Sequence, residues 1–133
     1  MTAYDRLRTF AKSAINRHQP IGEMPMGPTD FAVACREQRD LMLANYADAS
    51  GGSEVATLLA AANLSQEQRN YVVSALDNAL TDAFYTMLLA IDGSASLGQT
   101  QKSFALADGE GNIIANGDGR LEAAAWEALA SNR

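Results

Sequence analysis

The chain has 133 residues and 14.1 kDa, enough for one ordinary domain that folds without disulfides or metal. Its 47% hydrophobic and 20% charged residues exclude intrinsic disorder, and one cysteine with one histidine excludes a disulfide framework and any multi-cysteine or two-histidine metal site. Ten basic residues against sixteen acidic ones leave a net charge of −6, which repels phosphate backbones and excludes general nucleic-acid binding.

The charge is uneven. Arg6, Arg8, Lys12 and Arg17 outweigh Asp5, so residues 1–17 carry +3 and the rest of the chain carries −9. Residues 3–18 are predicted as a first helix. Tyr4, Leu7, Ala11, Ala14 and Ile15 recur at threes and fours, with the basic groups on the other face. The stretch from Gln19 to Pro28 holds three prolines and two glycines and is expected as a loop, with Met24 and Met26 tucked inward.

A second helix is expected after an N-cap at Thr29 or Asp30, running to about Ala49. Its buried stripe would be Phe31, Ala34, Cys35, Leu41, Met42 and Tyr46, with Arg36, Glu37, Arg39 and Asp40 outward. Ser50-Gly51-Gly52 stops it, and Ser53 is placed to cap a short helix through Ala62. Ser65-Gln66-Glu67-Gln68 has the form of a capping box and opens the longest helix, about Gln66 to Ile91. Its apolar residues wrap more than one side, which predicts a central helix, while Ser74, Asp77, Asn78, Thr81, Asp82 and Tyr85 form a polar strip. Asp92-Gly93 ends it, with glycine available for a left-handed cap.

Lys102–Ala107 alternates as a strand, with Phe104 and Leu106 on one side. Asp108–Asn112 turns, and Ile113-Ile114-Ala115 returns. Asp118 is expected to cap a last helix from Arg120 to about Ser131, with Leu121, Ala125, Trp126 and Leu129 inward. The expected architecture is a single domain, mainly α in an α+β arrangement. It has about five helices and one β-hairpin before the C-terminal helix.

Four chemistries are weighed against this frame. Asp108-Gly-Glu110-Gly-Asn112 begins like a calcium loop, but Ile113 stands where glycine is required and Gly119 where a bidentate glutamate is required, so a hairpin turn is expected. Asp77 and Asp82 are five apart on a helix, which separates their side chains by about 140° rather than pairing them. Cys35 lies on an apolar stripe and His18 at a helix end, and nothing in sequence unites them as nucleophile and base. The glycines around Glu110 and Asp118 lack a phosphate-binding pattern, and the acids between them oppose phosphate. No catalytic residue, cofactor or metal is therefore expected. Without a signal peptide or an apolar run long enough to span a bilayer, a cytoplasmic location is expected, consistent with a free Cys35.

What the residues favour is an interaction surface. The last 58 residues hold eight acidic groups against Lys102, Arg120 and Arg133. Asp82, Tyr85, Asp92 and Glu110 are the candidate partner-binding residues, an acidic patch with an aromatic anchor suited to a basic protein.

The stretch Leu80-Thr-Asp-Ala-Phe-Tyr-Thr-Met-Leu-Leu-Ala-Ile-Asp-Gly-Ser-Ala-Ser-Leu-Gly98, with Leu121-Glu-Ala-Ala-Ala-Trp-Glu127 after the hairpin, resembles small acidic bacterial proteins. In size, acidity and style over its C-terminal half, the chain is similar to immunity proteins of toxin–immunity systems, including those paired with type VI secretion effectors. That resemblance implies a non-catalytic cytosolic inhibitor that binds a cognate toxin and covers its active site. It transfers no individual residue. Two other classes fit the same composition: a small enzyme or ligand-binding domain with a pocket beside the long helix, and a structural homo-oligomer in which a second copy covers the apolar excess of residues 72–91.

Overall fold

The structure, a computed structural model, describes residues 25–131. The predicted first helix, His18 and the beginning of the proline-rich loop lie outside the described residues. Within them the chain is mainly helical, with four helices and a two-stranded antiparallel hairpin before the last. These are α1 (Pro28–Ala47), α2 (Glu54–Ala61), α3 (Gln66–Ile91), β1 (Leu106–Ala107), β2 (Ile113–Ala115) and α4 (Arg120–Ala125), which continues as a π-helical turn over Trp126–Ala130.

Local signals set most of the helix ends. Helix α1 starts two residues earlier than its polar residues suggest: Gly27 is the N-cap and Pro28 the first helical residue, where a missing N–H costs nothing. Asp30 is then the third helical residue, and its carboxylate reaches back to accept the Gly27 N–H at 3.0 Å. Ser53 caps α2 by accepting the Ala56 N–H at 3.0 Å. The Ser65–Gln68 box closes both ways at the start of α3, at 2.9 and 3.1 Å. At its other end Gly93 takes φ +82°. The Gly93 N–H then meets the Ala90 carbonyl and the Ser94 N–H the Leu89 carbonyl, the paired bonds of a Schellman motif.

Helices α1 and α3 run antiparallel along one another. Arg69 donates to the Ala47 carbonyl at one end, and Arg39 Nη1 donates to Thr81 Oγ1 at 3.0 Å midway. Three sequence expectations change here, at Arg39, Thr81 and Ala34. Arg39 is not an outward residue: its side chain is 17% exposed and is shared between Thr81 and Asp40. Thr81 leaves the polar strip for the interior and donates its hydroxyl to the Asp77 carbonyl. On α1 the fully buried position is Ala32, while Ala34 is exposed. On α3, Leu88 is buried but Met87 faces out.

The core collects at the end of the helix pair where α4 packs. Ala32, Leu88, Ile114, Ala115, Leu121, Ala124, Ala125 and Leu129 form it, with Phe31, Phe84 and Tyr85 packed against its edge. The hairpin is shorter than its alternation suggests. Leu106 pairs with Ala115 and Ala107 with Ile113, so Ile114 bulges and turns into the core. The return strand has only three residues before Asn116–Gly119 breaks it, so Lys102–Ala105 finds no partner in it.

Candidate functional site

Tyr85 and Trp126 define the most distinctive surface among the described residues. Tyr85 lies on α3, half-buried against the core edge. Its ring centroid is 6.5 Å from that of Trp126, tilted by 58°, within the range of a stabilising aromatic pair. Trp126 stays 57% exposed. This corrects the expectation that Trp126 faces inward. The inward stripe is Leu121, Ala124, Ala125 and Leu129. Position 126 falls about 140° around the helix from 121, on the side of Glu122. There the helix widens: the Ser131 N–H bonds the Trp126 carbonyl, five residues back, at 2.9 Å.

Carboxylates bracket this pair. Helix α4 runs antiparallel to α3, because Glu122 lies beside Asp92 while Trp126 lies beside Tyr85. Asp82 precedes Tyr85 by one turn and Glu122 precedes Trp126 by one turn, so the two acids flank the aromatic pair from opposite ends. Both are exposed, as is Glu127 next to the indole.

Of the four predicted partner-binding residues, Tyr85 meets Trp126, and Asp82 is exposed one turn before it on α3. Asp92 is a correction. It is 4% exposed, and its Oδ2 accepts the Glu122 N–H at 2.9 Å across 30 residues of chain. It caps α4 from outside, because the N-cap position itself is Gly119 (φ +85°), which has no side chain to do so. Asp118, the predicted cap, accepts the Arg120 N–H one position earlier and also pairs with the Arg120 guanidinium at 2.7 Å. Glu110 is exposed, but it stands on the hairpin turn, whose strand β2 packs on α1 and α4. Trp126 and Glu122 are the residues that sequence reasoning missed. Helical spacing held the available signal, since Glu122 and Trp126 are four apart and off the alanine stripe.

The other candidate chemistries resolve as local structure. Asp108 spends its carboxylate within its own turn: Oδ1 accepts from the Glu110 and Asn112 N–H groups and Oδ2 from the Asn112 side chain. These bonds, the Asn112 side chain foremost, hold Asp108 below the usual carboxylate range, with the Met26 N–H helping. The folded state therefore binds this proton less readily than the unfolded chain. The stabilisation is complete above the unfolded value of about 3.9 and is lost as pH falls through the lower folded value. Acid titration followed by amide chemical shifts should show Glu110 and Asn112 moving together below about pH 4. In Asp108→Ala that step should vanish. Cys35 is half-buried against the core, and burial pushes its thiol above the ordinary range, away from a reactive thiolate. No group of three His, Cys, Asp or Glu among the described residues is placed to hold a metal ion. No described helix is long and apolar enough to cross a membrane.

No protein family matches the chain, and neither a curated protein nor a solved structure matches it.

Proposed function

We propose that this chain is a non-catalytic, protein-binding inhibitor of the immunity type, which neutralises a cognate bacterial toxin by occluding its active site. The observation that carries this reading is an exposed tryptophan, braced by a tyrosine rooted at the core edge, between carboxylates on a chain of net charge −6. Burying a large aromatic against a partner is strongly favourable, and an acidic surround speeds encounter with a basic surface. The resemblance of the C-terminal half to small acidic immunity proteins points the same way. On this reading the toxin presents a basic surface, and the chain works in the cytoplasm without a cofactor.

Co-expression tests it. The product of the adjacent upstream gene should arrest growth, and this chain should relieve the arrest. Reversing Glu122 and Glu127 together to lysine should slow association by roughly tenfold or more at low salt. A harmless neighbour, or a toxic one that this chain does not restrain, rejects the reading.

A further inference from the structure

We propose that residues 3–18 dock as an amphipathic helix on the half of the α1–α3 pair farther from α4, where the described residues supply no core. The inference is independent of the inhibitor reading, because it leaves Trp126 open on the α4 side.

The first observation is where burial stops. On α1 the buried side chain is Ala32, and on α3 the buried ones are Thr81, Leu88 and Ala90. Beyond them the two helices continue side by side, and Arg69 still reaches the Ala47 carbonyl. Yet Met42 and Tyr46 on α1 and Val73, Leu76 and Leu80 on α3 are only part-buried, and none belongs to the core cluster. Helix α2 packs on α1 there and adds one buried residue, Ala56. Val73, Leu76 and Leu80 stand three and four apart, so they share one face of α3. The hydrophobic effect favours whatever completes their cover.

The second observation is what the chain itself offers. Residues 3–18 carry Tyr4, Leu7, Ala11, Ala14 and Ile15 at helical spacing. At about 100° per residue, Arg8 and Lys12 border that stripe on one side and Arg6 and Arg17 on the other. Such a helix buries its stripe while its long basic side chains run out along the edges toward acids and water. Residues 1–17 carry +3 against −9 for the rest, so segment and body attract, whereas a second copy brings −6 against −6. The third observation is reach. Met26 packs against the core and its N–H meets the Asp108 carboxylate, so the preceding chain sets out from the core end of the helix pair. Residues 19–25 span at most about 23 Å when extended. Helix α1 rises about 21 Å from Pro28 to Met42, and residues 3–18 form a helix about 24 Å long, so the segment can lie along the far half. Its tether holds it there at an effective concentration on the order of millimolar, which a separate partner must exceed.

Amide hydrogen exchange on the full-length protein tests this. Amides of residues 7–15 should be protected roughly tenfold or more over an unfolded chain. Leu7→Lys, which alters only the segment, should remove that protection and speed exchange around Leu76, while the amides of Leu121–Ala125 keep theirs. From the other side, Leu76→Lys should also expose residues 7–15, and the milder Leu80→Ala should do so in part, in case the first variant fails to fold. Salt of about 0.5 M should speed exchange at residues 7–15 by screening the attraction. Trp126 is the chain's single tryptophan, and its emission should be unchanged in Leu7→Lys. Unprotected residues 7–15 overturn the proposal, as does protection that neither Leu76→Lys nor Leu80→Ala lowers. A shift of Trp126 emission in Leu7→Lys overturns it too, because the segment would then lie on the Trp126 side. So does a wild-type dimer at micromolar concentration that Leu76→Lys returns to monomer, since a second copy would be the occupant. Protection that arises only with anionic phospholipid vesicles assigns the segment to a membrane surface and likewise overturns it.

Discussion

Replacing Leu121 by alanine is expected to lower stability by about 2–5 kcal/mol. Leu121 is completely buried and is the largest side chain so enclosed. It leaves the first turn of α4 and enters the cluster that holds Ala32, Leu88, Ile114 and Ala115. The loss belongs in the upper part of that range for a specific reason. Many of its neighbours are alanines, which have no rotamers with which to fill the space, so the cavity persists. Urea unfolding should show the midpoint falling with the slope unchanged. Leu121→Met, which conserves volume, should cost less than about 1.5 kcal/mol, and Leu58→Ala on the exposed face of α2 less than about 0.5 kcal/mol. Equal effects at Leu121 and Leu58 would contradict this placement of the core.

The fold was legible wherever the determining interaction is short in sequence. The Ser65–Gln68 box, the Ser53 cap and the Asp92-Gly93 stop each act within a few residues, and all three form as their residues suggest. Helix α3 accordingly spans the range predicted for it. Legibility drops where a second element decides. Arg39 has an outward pattern on α1 alone, and only the approach of α3 gives its guanidinium a buried partner in Thr81. The strand at 102–107 has the alternation of a longer hairpin. The bulge at Ile114 and the three-residue return strand limit it to two residues.

The candidate site follows the same division. Asp82 and Tyr85 stand out in the sequence because they are polar or amphipathic residues on an otherwise apolar helix. Trp126 was misplaced because tryptophan in an alanine-rich segment suggests a core residue. The alanines instead let α4 approach closely and fill the interior themselves, leaving the indole at the margin. Asp92 was misplaced because an aspartate at a helix end before glycine suggests a solvated terminus. Nothing nearby in sequence announces that the first turn of α4, 30 residues later, returns to it.

Asp92→Ala is expected to destabilise the protein by about 1–3 kcal/mol, at roughly 4 °C of melting temperature per kcal/mol. The side chain serves two helices at once. Its backbone closes α3, where its N–H bonds the Leu88 carbonyl, while its carboxylate closes α4 at the Glu122 N–H. Removing it leaves a part-buried donor without this partner at a helix start whose cap residue is a glycine. Asp92 Oδ1, by contrast, is buried with no hydrogen-bond partner among the described residues, a desolvation cost that the Oδ2 cap must offset. Asp92→Asn separates the two. It retains an acceptor for Glu122 and discharges the unpartnered oxygen, so its loss should be smaller than that of the alanine variant. Hydrogen exchange locates the effect: the amides of Glu122 and Ala123 should lose protection before those in the middle of α3. If Asp92→Ala melts with wild-type midpoint and exchange, the two helices are not joined through this carboxylate. If it melts early, Asp92 is a positioning residue for the aromatic pair, because the turn it secures begins the helix that carries Trp126 to Tyr85.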